Sequence, residues 1–404
     1  MPGPPPTPLP LLFTAFEPSA DVLAARLIRE LRRRNPQQTF VGFGGPQMEA
    51  AGCELLEETT AHAKMGVGVA IAVEGKTLLR RKGDLARWLG EHDIAGHVPV
   101  DSPAANWSMC RATRKARPQA TIVHLVAPQL WAWAGWRIGR LRKLTDHLMC
   151  LLPFEPDWFG TRGVPGTFVG HPLFREATEA AANAKANAVQ LIDDTGKPLA
   201  SGDPTLALLP GSRAAEIDHN WPVMLAVFNA LRHRHPTMAT VVAAASPDRA
   251  KQIANLCPGG RPPRGVQVVT GRAGDVLTQA DAALVVSGTA TLEATARRTP
   301  CVAVYCGSRV KWNLLARWLV KTRTFALPNV IAQGMDMPRV VPEFVPHFGA
   351  PEPLVRALTP LLQEGPERAA QHAGYDVIHR VFGAVDFATA AADTLLSRLG
   401  SGTG

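Results

Sequence analysis

Residues 281–298 read DAALVVSGTATLEATARR. Residues 282–286 are an uninterrupted apolar run, which predicts a buried strand. Ser287-Gly288-Thr289 predicts a tight turn, and a helix is expected from about Ala290, with Glu293 in its first turn. A strand that stops at Ser-Gly-Thr and restarts as a helix leaves unpaired backbone N–H groups and the positive end of a helix dipole aimed at one spot, with two hydroxyls beside it. Such a spot suits a phosphate or diphosphate. Glu293 is repelled by a phosphate, but it is well suited to accept hydrogen bonds from a ribose 2′- and 3′-hydroxyl. Diphosphate plus ribose describes a nucleotide. An ordinary capped helix with a solvated Glu accounts for these residues equally well when they are taken alone.

The same strand-turn-helix grammar recurs along all 404 residues, a length that favours two domains. In the first half, strands are expected at residues 9–15, 39–43, 93–101, 121–126, 147–152 and 167–169. In the second half they are expected at 205–209, 237–245, 266–270, 282–286 and 301–305, alternating with helices at 214–233, 248–255, 275–279 and 290–297. Alternation of this kind implies parallel sheets covered on both faces, so the expected fold class is α/β with two Rossmann-like domains. Residues 1–176 form the first domain and 204–380 the second; the Ala-, Asn- and Asp-rich run 177–203 reads as a hinge or linker, and 381–404 as a closing helix and tail. Two such halves leave a cleft between their loops. Residues 312–322 read as an amphipathic helix and Leu327-Pro328-Asn329 as a turn.

Hydrophobic residues make up 46% of the chain and charged residues 19%, which excludes a disordered protein. The net charge of +9, from 43 Lys and Arg against 34 Asp and Glu, favours anionic partners. The six cysteines, Cys53, Cys110, Cys150, Cys257, Cys301 and Cys306, have no metal-ligand spacing and read as reduced core thiols. The first ten residues are Pro-rich with no basic n-region, and no apolar run reaches the ~18 residues a membrane span needs. A cytosolic protein whose membrane contact is peripheral is therefore expected.

Particular residues point to chemistry. Glu17 follows the first strand; Ser19 or Asp21 would cap the helix after it, which leaves Glu17 without a structural duty. Asp101 ends a strand at the carboxyl edge, where open α/β sheets place their ligands, and is a candidate general base; a plain turn initiator before Pro103 is the other reading. Residues 64–88 join an apolar, Gly-loosened stretch containing Met65 to a basic helix, either a membrane-surface element or an ordinary crossover with a solvated basic face. Residues 131–143 interleave Trp131, Trp133 and Trp136 with Arg137, Arg140, Arg142 and Lys143. No nucleic-acid motif accompanies them, so a phosphosugar or lipid head group is the simpler guest.

The ordered set of Phe16-Glu17-Pro18-Ser19-Ala20-Asp21, Gly44-Gly45-Pro46-Gln47-Met48, Met65-Gly66, Asp101-Ser102-Pro103, Trp131-Ala132-Trp133, Leu152-Pro153-Phe154-Glu155, Gly170-His171-Pro172, Leu209-Pro210-Gly211-Ser212-Arg213 with Glu216, Ser287 to Glu293, Leu327-Pro328-Asn329 and Val341-Pro342-Glu343 resembles the lipid-A-disaccharide synthases. The likeness spans nearly the whole chain. It implies a B-type glycosyltransferase that moves 2,3-diacylglucosamine from its UDP conjugate to the 6-hydroxyl of 2,3-diacylglucosamine 1-phosphate, with inversion to a β-1,6 bond. The resemblance implies that Ser212, Arg213, Ser287, Gly288, Thr289, Glu293 and Asn329 bind the donor. It makes Asp101 the base and Arg213 the group that neutralises the leaving diphosphate without a metal or cofactor. Glu17, Ser19, Asp21 and Met65 fall on the acceptor side. Peripheral attachment to an anionic membrane on the cytoplasmic face of the inner membrane is also implied, and a homodimer is compatible with it.

Departures from the family pattern gather in the acceptor half. Phe16 and Ala20 stand where glycines are usual, Val69 where an acid is common, Ala104 and Ala105 where an acid and a Phe precede the Asn, and Pro99 interrupts the strand before Asp101. Two other readings keep the nucleotide site: a transferase or epimerase using another UDP-sugar or lipid acceptor, and a non-catalytic UDP-sugar-binding homologue.

Overall fold

The computed structural model describes residues 8–60, 70–186, 192–199, 202–307 and 324–400. The chain divides into two compact units, residues 1–171 with 385–404, and residues 172–384. Each is a parallel sheet wrapped by helices.

In the first unit the strands are β1 (Leu11–Ala15), β2 (Phe40–Gly44), β3 (Cys53–Glu58), β4 (Gly96–Val100), β5 (Thr121–Leu125), β6 (His147–Cys150) and β7 (Gly166–Phe168), in the spatial order β3-β2-β1-β4-β5-β6-β7. Every pair is parallel. Strand side chains alternate between faces, and β1 shows it well. Leu11, Phe13 and Ala15 enter the core built with helices Pro18–Arg34 and Phe387–Gly400, while Leu12 enters the core that includes Leu85, Leu89 and Met109. Thr14 shares the face of Leu12 and is fully buried. In β4, Val98 and Val100 join the first core, so His97 and Pro99 face the other way. Pro99 is tolerated because the ladder to β5 passes from His97–Ile122 to Val100–Leu125 without a pairing at Pro99.

The second unit carries β8 (Thr205–Leu209), β9 (Ala239–Ala244), β10 (Val266–Thr270), β11 (Ala282–Val286), β12 (Cys301–Cys306) and β13 (Glu343–His347), in the order β10-β9-β8-β11-β12-β13, again all parallel. The run 282–286 is buried at every position, as a strand covered on both faces must be. Strand order reverses between β1 and β4 in one unit and between β8 and β11 in the other. Crevices open at such points, beyond the strands' carboxyl ends.

Several expectations are corrected. Residues 177–186, expected to be linker, continue a helix, Pro172–Ala186, because their alanines are strong helix formers. Leu327-Pro328-Asn329 is no turn but the start of helix Leu327–Gly334, with Pro328 in the first turn, where no N–H is needed. The closing helix begins at Phe387, and a separate helix, Pro366–Gly383, precedes it. Strands β3 and β13 were not foreseen. The helix after β1 is capped by neither Ser19 nor Asp21: its N-cap is Glu17, without a side-chain capping bond. The expected helix at 312–322 and Met65 lie outside the described residues.

Candidate functional site

Two strand-end clusters carry the residues singled out from the sequence, one in each unit. In the second unit, a cavity of about 660 Å³ opens at the β8/β11 switch, lined by Gly211, Ser212, Arg213 and Glu216 after β8, and by Ser287, Gly288, Thr289 and Glu293 after β11. Gly288 has φ 139°, which disfavours any residue with a Cβ, and it is the N-cap of helix Thr289–Ala296. The helix starts one residue earlier than expected, so Glu293 sits in its second turn, behind the dipole end. The Oγ of Ser287 is buried without a protein partner at the cavity wall. A phosphate oxygen would satisfy it.

Arg213 is the N-cap residue of helix Ala214–Arg234. The Glu216 carboxylate accepts from the backbone N–H of Ser212 (3.1 Å) and of Arg213 (3.2 Å), and from Arg213 Nη1 (3.1 Å). Gly211, at φ 116°, lets that carboxylate approach: a Cβ there would lie 2.7 Å from Glu216 Oε2. The Arg213 side chain is 80% exposed, so its guanidinium remains available at the cavity.

The cavity has two further cations that sequence reading missed, Arg272 and Arg297. Arg272 donates to Asp275 (2.9 Å), and Arg297 to Thr278 Oγ1 (3.1 Å) while its Nε is buried without a partner. The signal for the first was the Gly271-Arg272-Ala273-Gly274-Asp275 turn after β10, another strand end. Burial pushes the Glu293 carboxyl above its ordinary value; Arg297 pulls it back, and Glu176 and Asp275 add to the rise.

Asn329 does not line this cavity. It is 1% exposed and its amide is used up internally: Nδ2 donates to Val341 O (2.9 Å) and Glu343 Oε2 (3.0 Å), and Oδ1 accepts from the N–H of Val340 (2.8 Å) and Val341 (2.9 Å). Glu343 also accepts from Phe325 N (2.6 Å). The pair ties helix Leu327–Gly334 to β13, and Leu327 N donates to Thr291 Oγ1 (3.1 Å) on the helix of Glu293.

In the first unit, the loops after β1 and β4 meet. Ser102 Oγ donates to Glu17 Oε1 (2.9 Å), which gives Glu17 the duty its sequence context left open. Asp101 (φ 50°) and Ser102 (φ 39°) are both in the left-handed region, a strained conformation for residues with a Cβ. Burial pushes the Asp101 carboxyl up from its ordinary value, the Ser102 backbone N–H lowers it, and the charge of Glu17 raises it again. Asp21 is buried and holds the next loop, accepting from the N–H of Gly45 (3.1 Å), Gln47 (3.0 Å) and Met48 (3.0 Å). It thus serves helix Pro46–Ala50 rather than its own. Ser19 is exposed.

Over residues 11–388 the chain matches the model of the family described as lipid-A-disaccharide synthetase. It is 35% identical over 395 residues to the lipid-A-disaccharide synthase of Pseudomonas syringae pv. syringae (strain B728a), covering 98% of each chain. The chain belongs to the lipid-A-disaccharide synthetase family. To the synthase of Azotobacter vinelandii (strain DJ / ATCC BAA-1303) it is 34% identical, over 92% of this chain and 93% of that one. Two solved structures share the fold: the glycotransferase of kitacinnamycin (TM-score 0.61, 16% identity, 98% and 100% covered) and a UDP-GlcNAc 2-epimerase from Neisseria meningitidis bound to UDP-GlcNAc (TM-score 0.58, 9% identity, 97% and 99% covered). The architecture is that of the B-type glycosyltransferases, and family membership makes this chain a synthase of the lipid A disaccharide.

The two basic stretches fare differently. On helix Ala70–Glu91, Arg80 and Arg81 both donate to Glu57 of β3 (2.7 and 2.9 Å), so part of that charge is spent within the unit, while Lys76 and Leu79 are exposed. In the 131–143 stretch Trp133 and Trp136 stand exposed, and the Arg137 guanidinium lies over the rings of Trp133 and Trp107. Among the described residues, no helix is long and apolar enough to cross a membrane.

Proposed function

We propose that this synthase transfers 2,3-diacylglucosamine from its UDP conjugate to 2,3-diacylglucosamine 1-phosphate, inverting the anomeric carbon to give a β-1,6 disaccharide 1-phosphate and UDP. The observation that carries the reading is the cavity at the β8/β11 switch, where a glycine-opened helix N-terminus, the unpartnered Ser287 hydroxyl and Arg213 converge, with Glu293 one turn behind. The diphosphate lies against the Ser287-Gly288-Thr289 turn and Ser212, and Glu293 accepts from the ribose hydroxyls. Arg213 neutralises the negative charge that grows on the departing diphosphate, a task a guanidinium performs without a metal. Asn329 acts on this site through Glu343 and the Leu327–Thr291 bond, holding the helix of Glu293 in place.

Asp101 removes the proton from the attacking 6-hydroxyl as the new bond forms; one base suffices for an inverting displacement. Its burial favours that role, because a carboxylate with a raised pKa is the stronger base. Glu17 belongs to the same acceptor-side loop cluster, and Met65 serves the acceptor as well. We infer peripheral work on the cytoplasmic face of the inner membrane, since both substrates are diacylated.

The test is UDP release from purified protein given UDP-2,3-diacylglucosamine in detergent and EDTA, with and without 2,3-diacylglucosamine 1-phosphate. Acceptor-dependent release with a disaccharide product is the expected result. UDP release without that acceptor, or with a different lipid only, would replace the proposed acceptor; binding of UDP with no release under any condition would leave a binding protein.

A further inference from the structure

A buried polar chain runs beneath Asp101 that neither the fold nor the donor site accounts for. Thr14 on β1 and His97 on β4 point to the same face of the sheet and meet Asn106 and Thr113, seven residues apart and hence on one face of helix Pro103–Ala116. All four are 0% exposed. Asn106 Nδ2 lies 2.9 Å from Val100 O and 2.6 Å from Asp101 O, so this atom is the amide donor and Oδ1 is the acceptor, taking the Thr14 hydroxyl proton at 2.6 Å. Thr14 has then spent its only proton. His97 Nε2, 2.9 Å away, must donate to Thr14 Oγ1, and His97 Nδ1 must accept from the Thr113 hydroxyl at 3.1 Å. One tautomer of a neutral imidazole satisfies every partner.

The chain ends on the carbonyls of Val100 and Asp101, the two residues at which the backbone turns from an extended strand into the left-handed region. Left-handed Asp101 and Ser102 each carry a conformational cost, and such costs persist where surrounding bonds over-determine the backbone. From outside, Ser102 is held by Glu17. A direct bond from Asn106 to two consecutive carbonyls grips the turn from inside. Burial holds His97 down at about 3, so the imidazole stays neutral over any ordinary working pH and the direction of the whole chain is constant.

We propose that the Thr113–His97–Thr14–Asn106 chain is a positioning device that fixes the left-handed turn at Asp101 and thereby aims its carboxylate at the proton it removes. The proposal rests on the reading of Asp101 as the base. Its residues touch no substrate and act through the Asp101 peptide.

The test is a double-mutant cycle in the acceptor-dependent UDP-release assay, using Thr14→Val, Asp101→Asn and the pair. Thr14→Val keeps the shape of the side chain and deletes the hydroxyl. A misaimed general base costs about tenfold in kcat, with the donor KM unchanged. In the Asp101→Asn background there is no base left to aim, so the same substitution should cost less than about twofold. Thr14→Ser, which restores the hydroxyl, should return kcat to within about twofold of wild type. Equal losses in both backgrounds would make the chain an ordinary structural network and overturn the proposal, as would an unaffected kcat in Thr14→Val; in both cases an inactive Asp101→Asn leaves the base reading standing. Full turnover by Asp101→Asn would remove the base reading itself. If Thr14→Val does not accumulate as folded protein, Thr113→Val deletes the hydroxyl at the other end and is read against the same two backgrounds with the same criteria.

Discussion

The two strand-order switches are built on the same topology and furnished in opposite ways. At β8/β11 the chain opens space: Gly211 and Gly288 remove side chains, a hydroxyl is left without a partner, and three arginines border a cavity. At β1/β4 it closes space around one group. Asp101 is half-buried, held left-handed between Asn106 below and Ser102–Glu17 beside it, with no glycine at the turn. An open, cationic switch suits binding of an anionic leaving group, whereas a closed and strained one suits holding a single reactive group in place. The difference teaches that topology locates a site in an α/β sheet, and that side-chain furnishing decides which half of a reaction it serves.

The comparison can be broken most directly at Asp101. Asp101→Asn should lower turnover by about 10²- to 10⁴-fold, the range for loss of a general base, with UDP affinity unchanged. Arg213→Ala should lower kcat by about 10²-fold, the scale of removing one preorganised charge donor. Because the Arg213 side chain is 80% exposed, its melting temperature should stay at the wild-type value. Preserved kcat in that variant would take Arg213 out of the chemistry.

A smaller effect separates structural carboxylates from catalytic ones in the first unit. Glu155 is 2% exposed, and burial pushes its carboxyl from 4.5 up to about 7 against the lowering bonds from Trp131 Nε1 (3.0 Å) and Leu152 N (3.0 Å). A group with a raised folded-state pKa contributes stability that is complete below its unfolded value, and this contribution disappears as pH rises through the folded value. The wild type should therefore lose up to about 3 kcal/mol from this group between roughly pH 4.5 and 7. Glu155→Gln should show a smaller fall in melting temperature from pH 5 to pH 8 than the wild type does; an equal fall would mean that Glu155 does not carry the penalty.

The smallest effect belongs to Glu17. Its negative charge raises the Asp101 carboxyl. Glu17→Gln should move the acid limb of the kcat profile to lower pH, since Asp101 then ionises more readily. A shift to higher pH would contradict the assigned sign.

Most of the fold was legible because parallel strands buried on both faces appear as uninterrupted apolar runs. Residues 282–286, in the interior of the second sheet, match the observed strand end to end. Strand β3 was hidden because Cys53–Glu58 lies at the sheet edge, where Glu54, Glu57 and Glu58 break the apolar pattern. Strand β13 was hidden by Pro346, which reads as a breaker yet is accommodated at the other sheet's edge. The donor-side cluster was legible because its residues sit in two short motifs at strand ends. Arg297 lies at the far end of its helix, away from any strand-end motif, and the bonds of Thr14 to His97 and Asn106 join positions 83 and 92 residues apart, which no local pattern signals. Asn329 is placed on the donor side by the family resemblance alone, because no local pattern in the sequence signals its partners. Its amide instead saturates on the backbone of residues 340 and 341 and on Glu343.

The central claim is that the second unit binds the nucleotide while the first supplies the base. Calorimetric titration of UDP into wild type, Asp101→Asn and Glu293→Gln tests it directly. The predicted result is unchanged affinity in Asp101→Asn and about tenfold weaker binding in Glu293→Gln, the scale of a charge-assisted hydrogen bond to a ribose hydroxyl. Weakened binding in Asp101→Asn together with wild-type affinity in Glu293→Gln would contradict it.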